Sequence, residues 1–116
     1  LADAGTPLRP CALALASEGR RRAGDATGAL GYAEAGMEAL DALDHVEDDE
    51  LVPHVALVEA LRACGETERA RDAVQRATVR LDELAARLGD PDLRASFLAG
   101  VPAHRRLLEL VRELGV

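Results

Sequence analysis

One turn is written twice in this chain, and nothing else in the sequence restricts the fold as much. In the stretch EALRACGETERARDAVQRA, Glu59 to Ala77, a helix ends at Cys64-Gly65-Glu66 and a second begins beyond it. Gly65 can take the left-handed conformation that closes a helix, and Glu66 or Thr67 can cap the next one. Ala70 falls where the two helices must approach, so a larger side chain there would push them apart. Moving back 41 residues, from Gly65 to Gly24, brings up the same device in EGRRRAGDATGALGYAEAG, Glu18 to Gly36. Glu18 matches Glu59, Arg21 matches Arg62 and Ala29 matches Ala70, while Asp25 stands for Glu66. Further on, Leu40-Asp41 and Leu43 match Leu81-Asp82 and Leu84. The chain therefore reads as two copies of an antiparallel helical hairpin, which makes an interaction scaffold and leaves the partner unnamed.

Composition supports that reading. Nearly half of the 116 residues are apolar, yet there is one Tyr32, one Phe97 and no tryptophan. Alanine and leucine must supply the core, and both favour helix, so the fold is expected to be all-α. No apolar run is long enough to cross a bilayer and no secretory leader is present, so a soluble, cytoplasmic chain is expected. The formal charge of −7 would repel a phosphate backbone, which argues against nucleic acid as a partner. Every basic side chain other than histidine is arginine, as a GC-rich bacterial genome would leave it. The chain opens at Leu1 on a loop-like stretch and reads as a domain cut from a longer protein. Cys11 lies early in the first helix and Cys64 ends the third. In stacked hairpins these helices run parallel, which separates the two thiols by about 18 Å along the axis at ~1.5 Å per residue. Free thiols are expected.

In chain order, the first hairpin covers residues 7–44, the second 50–88, and a C-terminal helical cap 90–115. Helix one starts at Thr6-Pro7 or nearer Pro10, with Leu8, Cys11 and Leu15 inward, and Leu13 and Ala16 as further candidates. Helix two carries Ala29, Ala33, Gly36, Leu40 and Leu43 at helical spacing, and Gly28, Gly31 and Gly36 suggest close helix contact. Helix three begins near Asp49 or Glu50, whose carboxylates suit its positive end, and buries Leu57, Val58 and Leu61. Helix four repeats Ala70, Val74, Ala77, Leu81, Leu84 and Leu88 over a charged opposite face. Asp90-Pro91-Asp92 starts a short helix, and Val101-Pro102 opens a last one with Leu107, Leu108, Val111 and Leu114 on one side. His104 is assigned a surface or capping role.

The turns AGD at Ala23 to Asp25 and CGE at Cys64 to Glu66, each followed by alanine at Ala29 and Ala70, resemble tetratricopeptide repeats. Gly36 and Ala77 fall at the second close-packing position. The family's tryptophan and first-helix glycine are absent, Ala33 and Val74 replace its second-helix aromatic, and the spacing exceeds the standard 34 residues. These departures resemble the long-helix variety found with bacterial signalling ATPases and protein kinases, as does the ending DPDLRASFLAGVPAHRRLLELVRELG. The resemblance implies hairpins stacked as a right-handed α-α superhelix with C-terminal capping helices, and first helices lining a concave face. By the family's positions that face receives Cys11, Ala14, Glu18, Arg21 and Arg22, then Val52, Val55, Glu59, Arg62 and Ala63.

Of these, Glu18, Arg21, Arg22, Glu59 and Arg62 form the candidate peptide-binding set. Glu18/Arg21 and Glu59/Arg62 repeat three apart on one helical face. They either orient a peptide segment or a neighbouring domain of the same chain, or form ion pairs that solvate the groove. The second, plainer reading is favoured. His45, Glu47, Asp48, Asp49, Glu50 and His54 are the right types for a divalent ion, but their spacing matches no known loop, and an acidic helix start explains them better. No cofactor and no catalytic residue are expected: Ser17 and Ser96 are isolated, and neither cysteine has a defensible histidine. The resulting expectation is a non-enzymatic protein-protein interaction domain of a larger bacterial regulatory protein. The alternative is the structural end of a helical array, self-associating through its exposed N-terminal edge.

Overall fold

The computed structural model describes residues 8–43 and 49–116. These form six helices, α1 (Leu8–Arg22), α2 (Ala26–Asp41), α3 (Leu51–Ala63), α4 (Thr67–Ala86), α5 (Pro91–Gly100) and α6 (Pro102–Leu114), with no strand among the described residues. The fold is all-α, as the alanine- and leucine-rich composition requires.

The two glycine turns close their helices in the same way. Gly24 and Gly65 have φ of 84° and 76°. At the first turn Asp25 N donates to Arg20 O and Gly24 N to Arg21 O; at the second Glu66 N donates to Leu61 O and Gly65 N to Arg62 O. Each turn is thus a Schellman closure, in which a left-handed residue satisfies carbonyls the helix leaves open. The following caps differ. Asp25 accepts from Gly28 N at 2.9 Å, whereas neither Glu66 nor Thr67 supplies a side-chain cap to α4.

Hydrogen bonds fix the order of the stack. Ser17 Oγ donates to Ala29 O at 2.7 Å, and a Cβ on Gly36 would lie 3.4 Å from Pro10 O, so α1 and α2 are antiparallel. The Arg80 pair with Glu50, at the far end from Gly65, makes α3 and α4 antiparallel. Cys11 Sγ contacts Asp49 O and Cys64 Sγ contacts Ala26 O, which puts α1 and α3 side by side in parallel and the thiols at opposite ends, both free. Arg106 meets Glu59 and Arg62 meets Glu113, so α6 lies parallel to α3 on its other side. Helices α1, α3 and α6 therefore form one layer. Helices α2 and α4 lie behind it without packing on each other, joined by the Arg69–Glu34 ion pair at 3.3 Å. The shortest dimension of the molecule, 20 Å, is about two helix diameters.

The main core gathers Leu51, Val58, Leu61, Val74, Leu81, Leu107 and Leu110 between α3, α4 and α6. Between the hairpins lies a smaller cluster, Ala29, Ala33 and Ala60, where only methyl groups separate two backbones. Ala29 and Ala70 are both fully buried at the expected approach positions.

Several expectations need correction. Leu8 and Leu15 point outward, 79% and 66% exposed, and α1 instead buries Pro10, Ala14 and Ser17. Leucine spacing alone misjudged the face: what approaches Gly36 is the Pro10 carbonyl oxygen, the Leu13 Cβ and the Ala14 nitrogen, and Ser17 bonds to Ala29 on the same side. Gly28 and Gly31 make no interhelical approach: a Cβ on Gly28 would strike its own cap Asp25, and one on Gly31 meets nothing. The Glu50 carboxylate does not cap α3 but pairs with Arg80. In α6 the buried leucines are Leu107, Leu110 and Leu114, and Leu108 is only half-buried. His104 is buried rather than at the surface, its Nδ1 2.8 Å from Phe97 O and its ring 4.4 Å from the Phe97 ring. It fastens α5 to α6. Residues 7 and 44, which bound the first expected hairpin, lie outside the described residues, as does the connector from Asp44 to Asp48.

Candidate functional site

The α1–α3–α6 layer carries an open groove of about 390 Å³. Helix α3 is its floor and α1 and α6 are its walls, since these two outer helices each pack on α3 and not on each other. Apolar surface comes from Leu15, Val52, Val55 and Ala103, and the polar groups are Glu18, Arg21, Arg22, Glu59 and Arg106.

Four of the five candidate residues, Glu18, Arg21, Arg22 and Glu59, are brought together here. Arg62 is not among them: its Nη1 donates to Glu113 Oε1 at 2.7 Å, holding the C-terminal ends of α3 and α6 together. Neither carboxylate pairs with the arginine three residues on; the ion pairs are one within a helix and one between helices. Glu18 takes Arg22 at 2.8 Å, one turn on, and Glu59 takes Arg106 of α6 through two bonds of 2.8 and 3.1 Å. At Glu59 the guanidinium of Arg106 satisfies both carboxylate oxygens at once, while Arg62 turns to Glu113.

Arg106 is the residue that sequence reasoning missed. Its Nη1 also donates to Glu109 at 3.1 Å and Glu113 at 2.9 Å, so Glu59, Arg106, Glu113 and Arg62 form one network across α3 and α6. The hydrogen-bonded Glu59 carboxylate raises the Arg106 pKa above its ordinary value, against the opposing effect of burial. Arg106 and then Arg62 lower that of Glu113. A signal was available: Arg106, Glu109 and Glu113 sit three and seven apart, on one face of a helix.

With Glu18 and Glu59 both engaged, the charge a ligand meets is set by the remaining cation. Arg21 is half-buried in the groove wall and has no ion-pair partner among the described residues. The site thus offers an aliphatic strip on Leu15, Val52 and Val55 beside one uncommitted guanidinium. On the opposite side of α3, a smaller hollow of about 260 Å³ is lined by Met37, His54, Leu57 and Arg76. Burial there lowers the His54 pKa, although Glu50 and Asp41 pull the other way. Among the described residues no three His, Cys, Asp or Glu side chains gather as metal ligands would. His45, Glu47 and Asp48 lie outside the described residues. No described helix is long and apolar enough to cross a membrane.

Compared with known proteins, the chain matches no family model, no curated protein and no solved structure.

Proposed function

We propose that the chain is a tetratricopeptide-like stack of two helical hairpins closed by α5 and α6, and that it binds a protein segment along the α1–α3–α6 groove. It works without catalysis, in the cytoplasm, as part of a larger bacterial regulatory protein, an ATPase or kinase. The repeated Schellman turns and the parallel order of α1, α3 and α6 support the stack. One observation carries the binding role: Arg21 is held in an apolar-lined groove while its neighbouring carboxylates are spoken for. Such a surface selects a segment with an aliphatic side chain followed by a carboxylate, from another protein or from a neighbouring domain of the same chain.

Selection of a displayed random-peptide library on the immobilised chain tests this. Enriched sequences should combine aliphatic and acidic residues, and the Arg21→Glu variant should lose them or favour basic ones. Arg62→Glu is the control, expected to loosen α6 while leaving the selected sequences unchanged. Failure to enrich any sequence, or enrichment indifferent to Arg21→Glu, would remove the groove as the binding site.

A further inference from the structure

We infer that the outward face of α1 is a self-complementary seam on which a second copy of this chain packs antiparallel. The face is made of Leu8, Ala12, Leu15 and Gly19, all exposed, at spacings of four, three and four. That spacing is a helix-packing seam rather than a scatter of surface residues. Leu8 and Leu15, 79% and 66% exposed, are also the two most exposed large apolar side chains among the described residues.

The second hairpin shows what this face does when it is covered. Displaced by 41 residues, Ala12, Leu15 and Gly19 become Pro53, Ala56 and Ala60. There Pro53 and Ala60 are buried, and Ala56 and Ala60 pack against Ala29 and Ala33 of α2. From Ala12 to Gly19 the bare face of α1 thus continues, one hairpin earlier, an interface already formed inside the molecule, whereas Leu8 corresponds to the exposed Asp49 ahead of α3.

Three considerations choose the occupant. A second copy cannot stack head to tail, because the α4 surface equivalent to that of α2 is closed by α6: Val74 is buried with Leu107 and Leu110, and Arg71 Nε donates to Leu114 O at 2.9 Å. The seam instead fits its own image. With two α1 helices antiparallel about a two-fold axis between Leu13 and Ala14, Leu8 falls opposite Gly19 of the other copy and Leu15 opposite Ala12. Each large residue meets a small one. Charge sets the direction: Arg20, Arg21 and Arg22 occupy the last turn of α1, so a parallel pair would crowd the guanidiniums of both copies, and the antiparallel pair keeps them a helix length apart. A seam one helix wide and about 22 Å long is below the ~1,200 Å² of a stable interface, so the dimer is a micromolar one.

Sedimentation equilibrium of the 116-residue chain tests the seam, from about 1 µM to several hundred micromolar. The chain should pass from monomer to dimer. Leu8→Ala should raise the dissociation constant about 100-fold, since a two-fold axis counts each lost contact twice. Gly19→Leu should weaken it too, by setting leucine against leucine. The double variant Leu8→Ala/Gly19→Leu exchanges knob and hole and should return to within about tenfold of the parent. All these positions are exposed, and an added Cβ on Gly19 meets nothing within 4 Å, so the fold is preserved, as circular dichroism would verify. A chain monomeric throughout, leaving the face to some other helix, would overturn the proposal. So would a dimer indifferent to both single changes, or a double variant no better than either. Leu15 belongs to the seam and also edges the groove, so the variants are confined to Leu8 and Gly19, which do not line it and leave the groove's own residues unaltered.

Discussion

Helices α1 and α3 hold the same place in their hairpins, end in the same turn, and bury different numbers of faces. Helix α3 is covered on two sides: Leu51, Val58 and Leu61 enter the main core, while Pro53 and Ala60 are buried on the side turned to α2. Helix α1 buries Pro10, Ala14 and Ser17 on one side and leaves Leu8 and Leu15 in water on the other. Leucine therefore means opposite things in the two helices. In α3 it fills a core; in α1 it stands where the preceding neighbour of α3 would be. Burial belongs to the position in the fold rather than to the residue type, because a helix face is covered only where another helix packs on it.

The contrast is most easily broken at the leucines. Leu51→Ala and Leu61→Ala should each cost about 2–5 kcal/mol, from lost burial and the cavity left behind. Leu8→Ala and Leu15→Ala should stay within about 0.5 kcal/mol in dilute solution, where the chain is monomeric. Urea denaturation of the four variants measures both, and equal costs in the two helices would mean that α1 is covered in solution.

A smaller effect separates the paired positions Ala60 and Gly19. Ala60 is fully buried against Ala29 and Ala33, so Ala60→Leu should force the hairpins apart and cost about 1–3 kcal/mol. Gly19→Leu at the equivalent place in α1 should be neutral or stabilise by up to ~1 kcal/mol through helix propensity. Thermal melts of the two variants should move in opposite directions.

The smallest effect is one of pH. Burial holds the His54 pKa below its ordinary value, so the folded state binds its proton less readily than the unfolded state does. Stability from this group is complete above the ordinary histidine pKa of about 6.5 and falls as pH drops through the lowered folded value. His54→Gln should flatten that acid-side decline, in melts followed between about pH 7 and 5. The equivalent position in α1 is Leu13, so the first hairpin has no such dependence at this site. A decline unaltered by the substitution would place the titrating group elsewhere.

Much of this was legible before any coordinates. Gly24 and Gly65 mark turns because a left-handed residue is needed there, and that requirement is local. Helix four was legible in part. Ala70, Val74, Ala77 and Leu81 face one core as expected, but Leu84 and Leu88 are only half-buried, Leu88 lies beyond the helix, and Ala73 and Ala85 are buried without having been singled out. Helix one was less legible. Its leucines look inward by hydrophobicity, yet Leu8 and Leu15 stay exposed, and what approaches Gly36 on the facing helix is the backbone of Pro10 and Ala14 with the Leu13 Cβ. Four of the five candidate residues, Glu18, Arg21, Arg22 and Glu59, line one groove, because α1 and α3 lie side by side and parallel. Arg106 lines the groove without having been expected there and Arg62 does not, because the contacts Glu59–Arg106 and Arg62–Glu113 join residues 47 and 51 positions apart in sequence. No short-range rule of helix spacing connects them.

By itself the sequence determined the helices, their two glycine closures and the order in which hairpins follow one another, since each depends on residues within a turn or two. The tertiary structure alone decided which carboxylate each arginine takes, which histidine is buried, and that one face of α1 stays bare. Those outcomes are competitions among groups distant in the chain, and only the packed arrangement sets the distances over which they compete.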